Sequence, residues 1–462
     1  MVPASTCVPD GAGGDGWGLG GAGHGSIAVL VVVIRGLTPN NFIAAPILIC
    51  TDSSNPNTVE RNVIMATPAT KLLPSSADAW VAGLTNGSYW VLDSNRIIKW
   101  GFSDFRNEGW TPSVAGPVVA GVLSKFSEVA NISFQYVGNF TKPSESVADI
   151  TFLRTSYAPY LGFGNATAIG IFPHAAISNE IANYMTGAQG AYTNAAGDVW
   201  LNLLSPDINS SYSYAPGSKF NFVLLHEIGH ALGLKHPHDS GGTGRPTFSQ
   251  LGLSGFDDQL LTIMSYDETT TIAQWFSSYG LPSSIGYPST LMPMDVIALQ
   301  HLYGPNNSTR SGNDTYQLTN DLQIETFWDA GGFDILDASS SGYGWLISLN
   351  ALQHGNHNIA LGIPLDWSGN SETGKFYFNA EGIKGSSQSD ILIGNDLNNI
   401  INGNSGDDII YGADGDDFLI GGHGNDIISG GLGSDIVYGD VELNRLPAVV
   451  YCTTTQAIYP YL

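Results

Sequence analysis

Two patterns in the 462 residues predict an α+β domain, with a mixed twisted sheet and a metal-binding helix, followed by an all-β parallel β-roll. The first is the run HEIGHALGLKH at residues 226–236, where histidines recur at helical spacing. The second is a nine-residue repeat that runs without insertion from Gly385 to Tyr438. Between the N-terminus and the first pattern, strand-like and helix-like segments follow one another in the order a mixed sheet requires.

In chain order, residues 1–58 form a leader. Gly11 to Gly25 is glycine-rich, and the apolar run Ser26 to Ile34 is too short to span a bilayer and has no Lys or Arg before it. A propeptide, a disordered leader, or residues upstream of the true start all fit this composition. Residues 59–305 read as the α+β domain. Leu72 to Leu92 carries apolar positions broken at Asn86-Gly87, Arg96 to Phe102 reads as a strand, and Val114 to Val129 as a helix. Ala148 to Leu153, Ala168 to Phe172 and Gly197 to Asn202 read as further strands, and the metal helix starts near Phe220. The order gives a mixed sheet with one long helix behind it and the metal helix beneath.

His226 and His230 lie one turn apart on a common helix face, so both imidazoles can point at one ion. Glu227 is rotated by about 100° from His226, which suits a carboxylate that holds water without ligating the metal. Gly233 can end the helix in a left-handed residue and return His236 as a third nitrogen. Three histidines leave one position of a tetrahedral zinc open for water, whose pKa falls to about 7 there. Unrelated histidines seldom match so many fixed positions at once. His238 belongs to no such spacing and reads as solvent-facing.

In the repeat, the apolar position recurs at Leu392, Ile401, Ile410, Leu419, Ile428 and Val437, and the sixth position at Asp390, Asn399, Asp408, Asp417, Asp426 and Asp435. This is the pattern of a calcium-binding β-roll, with aliphatics inside, glycines at the turns and aspartates meeting Ca²⁺. Two repeats make one turn of the roll, so residues 18 apart stack. Between Gly385 and Asp440 there are ten Asp and no Lys or Arg, a charge row that repels itself without cations. A disordered acidic linker would share the composition, but it has no reason to phase an aliphatic every ninth residue. Asn399 brings an oxygen without charge and weakens its local site.

The motif at 225–237 and the run Thr262-Ile263-Met264-Ser265-Tyr266 together resemble the metzincin zinc metalloproteases, and within them the serralysin branch, with C-terminal RTX repeats. Gly197 to Asn202 resembles that family's edge strand above the cleft, and Asp295 to Gly304 its closing helix. The resemblance covers roughly residues 59 to 440. It implies zinc held by His226, His230 and His236, Glu227 as general base, Met264 as the floor under the metal, and Tyr266 as a ligand or oxyanion stabiliser. It further implies a calcium site from backbone oxygens of Arg310, Gly312 and Gly331 and carboxylates of Asp314, Asp329 and Asp334. The segment 441–462 departs from the family's capping and export pattern.

A secreted zinc-dependent endopeptidase is therefore expected, with one catalytic Zn²⁺, several structural Ca²⁺, protein or peptide substrates, and a monomeric state. Residues 306–440 would form its calcium-binding domain. The net charge of −25 argues against a nucleic-acid partner. No segment reads as a transmembrane span. Cys7, Cys50 and Cys452 lie outside the matched region, so metal ions rather than disulfides hold these domains. The alternative is a non-catalytic calcium-dependent surface or adhesion protein on a metzincin scaffold, and Glu227 argues against it. A zinc hydrolase acting on a non-peptide bond is a further reading.

Overall fold

The computed structural model describes residues 66–70, 78–103, 112–141, 146–156, 166–174, 195–205, 208, 214–241, 244–267, 287–319, 323–365, 375–439 and 449–451. All belong to one compact unit, Met65–Leu462. The leader at 1–58 and most of the tail at 441–462 lie outside the described residues.

The unit opens with β1 (Thr67–Thr70), α1 (Ala79–Leu84) and β2 (Ser88–Val91), the two strands pairing antiparallel. Asp78 caps α1, its Oδ1 accepting from the backbone of Trp80 at 2.8 Å and Val81 at 3.2 Å. Next come β3 (Ile97–Ser103), α2 (Pro112–Val129), β4 (Ser133–Phe140), β5 (Ile150–Thr155), β6 (Ala168–Gly170) and β7 (Val199–Asn202). The five strands form one sheet in the order β4-β3-β5-β7-β6, parallel except for the antiparallel pair β6–β7. Helix α2 buries Ala115, Val119, Val122, Phe126 and Val129, a stripe at helical period. It packs on α3 (Lys219–Ala231) and α4 (Pro293–Tyr303), so the sheet and three helices enclose one core.

One expectation is corrected. The strand in the segment 197–202, Val199–Asn202, is interior, paired on both sides and buried at every residue, and among the described residues the edge is β6. The sequence contains both strands. It carries no signal for which of them pairs outermost, because that depends on contacts far apart in the chain.

The remaining strands are β8 (Thr315–Gln317), β9 (Glu325–Phe327), β10 (Ile335–Asp337), β11 (Trp345–His354), β12 (His357–Pro364), β13 (Lys375–Phe378) and β14 (Gly382–Lys384). They lead into β15 (Ile391–Ile393), β16 (Ile400–Asn402), β17 (Ile409–Asp414), β18 (Phe418–Ile420), β19 (Ile427–Leu432), β20 (Ile436–Tyr438) and β21 (Val449–Tyr451). Successive repeats alternate between two sheets. Ile391 pairs with Ile409 and Ile409 with Ile427, while Ile400 pairs with Phe418 and Phe418 with Ile436, all parallel. Each partner is 18 residues away, as two repeats per turn require. Leu392, Ile401, Ile410, Leu419 and Ile428 are fully buried along the axis, each worth about 1.5–3 kcal/mol of burial. The antiparallel strands β11 to β13 join the roll to the first region, whose core takes in Trp328, Ile359, Ile363, Phe376 and Phe378.

Candidate metal centres

Helix α3 begins at Ser218, whose Oγ accepts from Asn221 N at 3.3 Å. It ends in a Schellman turn: Leu234 N donates to Gly229 O at 2.9 Å and Gly233 N to His230 O at 2.9 Å. Gly233 has φ +103, and a Cβ there would meet Ser88 O at 2.2 Å, so both the dihedral and the close strand demand glycine. The last helix carbonyls are satisfied by Trp90 Nε1 on Ala231 O at 2.9 Å and by the Tyr303 hydroxyl on Leu232 O at 2.8 Å.

This turn brings His236 back against the helix. Its Nε2 lies 3.1 Å from Nε2 of His226 and 3.0 Å from Nε2 of His230. The opposite nitrogens are all engaged: Nδ1 of His226 on Ile263 O at 2.7 Å, of His230 on Leu234 O at 2.8 Å, and of His236 on Asp239 Oδ2 at 2.6 Å. Carbonyls and an ionised carboxylate only accept, so each Nδ1 carries the proton. Burial, reinforced by neighbouring histidines, holds His226 down to about 3 and His230 well below the usual histidine range. Three Nε2 atoms thus face one point, and in His226 and His230 burial keeps that nitrogen free of a proton. A tetrahedral zinc with bonds of about 2.1 Å needs nitrogens about 3.4 Å apart, close to this spacing. The donor set fits zinc, with each ring fixed by a partner on its far nitrogen.

Glu227 is buried beside these rings, and desolvation pushes its carboxyl up to about 8 against a backbone hydrogen bond from Gly170 on the edge strand β6. Met264 is fully buried, and its sulfur sits 2.8 Å from where a Cβ on Gly229 would stand. Gly229 is what allows the turn so close beneath α3. Tyr266 is 63% exposed, with its ring stacked on His226 at 5.6 Å and tilted over His236 at 4.4 Å. His238 is solvent-exposed, yet its ring stacks on His236 at 5.0 Å and meets Tyr266 at 4.9 Å.

Among the described residues, Asp314, Asp329 and Asp334 form a second convergent group. Asp334 Oδ1 accepts from Asp314 N at 2.7 Å, while its buried Oδ2 has no hydrogen-bond partner. Asp329 accepts from Gly331 N at 2.8 Å and from the Tyr316 hydroxyl at 2.5 Å. Gly312 O occupies the place a Cβ on Gly332 would need, at 1.9 Å. Arg310 has φ +46, and its guanidinium turns to Trp328 O at 3.1 Å and Glu128 at 3.5 Å. Burial pushes Asp334 up to about 6, as expected of clustered carboxylates without a counter-ion.

The repeat aspartates do not cluster with one another. Asp408 Oδ1 accepts from Asp390 N at 2.8 Å and Asp417 Oδ1 from Asn399 N at 2.8 Å, each binding the coil 18 residues earlier. The buried Oδ2 of each has no hydrogen-bond partner. A Cβ on Gly403 or Gly412 would stand 2.3 Å from that Oδ2 and 2.5 Å from Gly421 O or 2.4 Å from Gly430 O. Carboxylate and carbonyl oxygens crowd points that a methyl group would fill, an arrangement that suits a hard cation. Asp390 and Asp435 crowd Gly385 and Gly430 likewise, and Asp426 crowds Gly421.

Residues 384–419 and 411–441 match the family model of the RTX calcium-binding nonapeptide repeat. The chain is 35% identical to metallopeptidase AprA of Pseudomonas marginalis over 38% of its length and 37% of that protein's. It is 32% identical to serralysin of Proteus mirabilis, covering 59% of this chain and 52% of the relative. The chain is serralysin-like and carries RTX repeats. Serralysin B of Dickeya chrysanthemi is 29% identical over 52% of this chain and 57% of its own. The chain thus spans between about a third and three-fifths of the length of these relatives. Among the described residues no helix is long and apolar enough to cross a membrane.

Three residues of this serralysin-like site escaped sequence reasoning. Asp239 orients His236, and despite burial the bonds from His236 and Gly241 hold it down to about 2. Its position three residues after a ligand was the available signal. Asp295 on α4 ties the Met264 turn to the core, accepting from Thr262 Oγ1 at 2.6 Å, Ile263 N at 2.8 Å and Met292 N at 3.0 Å. Glu381 accepts from Asp334 N at 2.9 Å and is pushed up to about 7 by burial and by the nearby aspartates. No local pattern announces either of these two.

Proposed function

We propose that the chain is a secreted zinc-dependent endopeptidase stabilised by calcium in its β-roll. The observation that carries this reading is the convergence of three Nε2 atoms beside a buried carboxylate. His226, His230 and His236 hold the zinc, which when bound supplies a Lewis acid for the scissile carbonyl and for water. Glu227 takes the proton of the attacking water and delivers it to the leaving amine. Burial raises this carboxyl above the ordinary glutamate range and a bound zinc would draw it back down, which brings it toward the neutral range where one group can both accept and return a proton. The Tyr266 hydroxyl donates to the developing oxyanion, its ring aligned by stacking on His226. Edge strand β6 lies against Glu227 through Gly170, where an extended peptide can add a strand to the sheet.

Asp314, Asp329 and Asp334, with backbone oxygens of Arg310, Gly312 and Gly331, hold one calcium. Asp390, Asp408, Asp417, Asp426 and Asp435 hold the rest along the roll. The α+β region to about residue 305 carries the chemistry, and 306–440 is the calcium domain. Release of peptides from denatured protein substrate by the full chain in calcium tests the proposal. It predicts loss with a zinc chelator and recovery on adding zinc. Activity that survives complete zinc removal would reject it.

A further inference from the structure

The turn that carries His236 encloses a lysine that the proposed reaction does not use. Lys235 is fully buried, a rare place for an ammonium unless its hydrogen bonds are met. They are met by backbone: Nζ donates to Gly83 O at 2.5 Å, Asp239 O at 2.9 Å and His236 O at 3.1 Å. Gly83 lies in the last turn of α1, where helix carbonyls run out of intrahelical partners. The other two carbonyls bracket the turn from His236 to Asp239. One ammonium therefore ties both ends of that turn to each other and to α1.

The rest of the turn is clamped by the same elements. Lys235 N donates to Leu84 O at 2.8 Å, Asn86 N to Gly233 O at 2.9 Å, and Asn86 Nδ2 to Gly241 O at 3.1 Å. Within the bracket sits the 2.6 Å contact between Asp239 Oδ2 and His236 Nδ1, which sets the ring so that Nε2 faces the other two histidines. His226 and His230 are fixed by α3 and need no such help. His236 alone stands on a loop.

We propose that Lys235 is a positioning residue for the metal centre: by holding the carbonyls of His236 and Asp239 against α1, it fixes the Asp239–His236 hydrogen bond and thus the third nitrogen. This rests on the zinc reading above. Lys235→Met keeps the length and removes the donor, leaving the buried Gly83 carbonyl and the part-buried carbonyls of His236 and Asp239 without it and the turn free to reorient. Loss of a partner behind a ligand costs about 10- to 100-fold in metal affinity.

The test is zinc affinity of the full chain by chelator competition, for the parent, Lys235→Met, Lys235→Gln, Asp239→Ala and the Lys235→Met/Asp239→Ala double variant. Lys235→Met should weaken zinc by about 10- to 100-fold, and Lys235→Gln, which keeps two donors, by less. The double variant should bind little worse than the weaker single one, because both residues act through one bond. The visible spectrum of the cobalt-substituted Lys235→Met chain should shift, since His236 changes orientation. A purely structural lysine would lower the melting temperature of the metal-free chain and leave zinc affinity within about twofold, or give fully additive losses, and either result overturns the proposal. Should Lys235→Met not fold, the Gln variant decides, and parental affinity there overturns it too. A parent that binds zinc no better than His236→Ala removes the zinc reading itself, a different and recognisable failure.

Discussion

Replacing Asp408 by Asn should stabilise the roll without calcium and destabilise it with calcium. The carboxylate's Oδ1 accepts from Asp390 N at 2.8 Å, a bond that an amide oxygen preserves. Its Oδ2 crowds the point beside Gly403 where Gly421 O also points. An Asn that keeps Oδ1 on Asp390 N turns its N–H₂ donor toward that carbonyl, whereas Asn399 sits the other way round, its Oδ1 at the matching point beside Gly394 and its Nδ2 on Asn395 Oδ1 at 2.9 Å and Glu381 O at 3.2 Å. One new buried hydrogen bond, to Gly421 O, is worth about 0.5–1.5 kcal/mol. Burial, followed by the charges of Asp390, Asp426 and Asp407, raises the Asp408 carboxyl from 3.8 to about 7. In EGTA the folded roll therefore prefers the proton at Asp408, so this carboxyl's contribution to stability is fully present below pH about 4 and is lost as pH rises toward 7. The Asn variant should lack this part of the slope. In calcium at a hundred times Kd the parent gains about 2.7 kcal/mol from a site, and the variant loses most of that at the coils around 408. Thermal unfolding of the full chain by circular dichroism, in EGTA and in CaCl₂ at pH 5 and 8, reads all three effects. A variant less stable than the parent in EGTA at pH 8, or one with the parental calcium response, would refute the reasoning.

The converse change, Asn399→Asp, should add about one calcium per chain by isothermal titration and lower the melting temperature in EGTA, since it trades two donated hydrogen bonds for a buried charge. Tyr266→Phe should lower kcat and kcat/KM by similar factors, as loss of a bond made only in the transition state does; a change in KM alone contradicts that role. Asp295→Ala leaves Thr262, Ile263 and Met292 without their acceptor. At about 1–3 kcal/mol for each unsatisfied buried donor, it should cost at least about 3 kcal/mol in urea unfolding and weaken zinc as the Met264 turn loosens.

What the sequence makes legible is what depends on neighbours along the chain. His226 and His230 share a face because a helix repeats every 3.6 residues, and Gly233 turns the chain because its φ is +103. The roll is legible because nine-residue phasing forces stacking at 18, as the Ile391–Ile409–Ile427 ladder displays. Contacts that close across the fold leave no such trace. Asp295 reaches a turn some thirty residues earlier, Glu381 reaches Asp334 across the roll, and β6 takes the edge that β7 was expected to hold. Lys235 stands inside the legible motif, yet its role depends on Gly83 in another helix. Asn399 is intermediate: its missing charge is visible in sequence, whereas the donors it turns to Asn395 and Glu381 are not.

In the proposed function, Glu227 moves the proton at a zinc site built by His226, His230 and His236. The most direct test of this role is the peptidase turnover of Glu227→Gln, measured at full zinc occupancy verified by metal analysis. The ligand nitrogens are untouched, so zinc content should equal that of the parent, while turnover should fall by about 10² to 10⁴. A zinc-replete Glu227→Gln chain that cleaves peptides at near-parental rates would contradict the account.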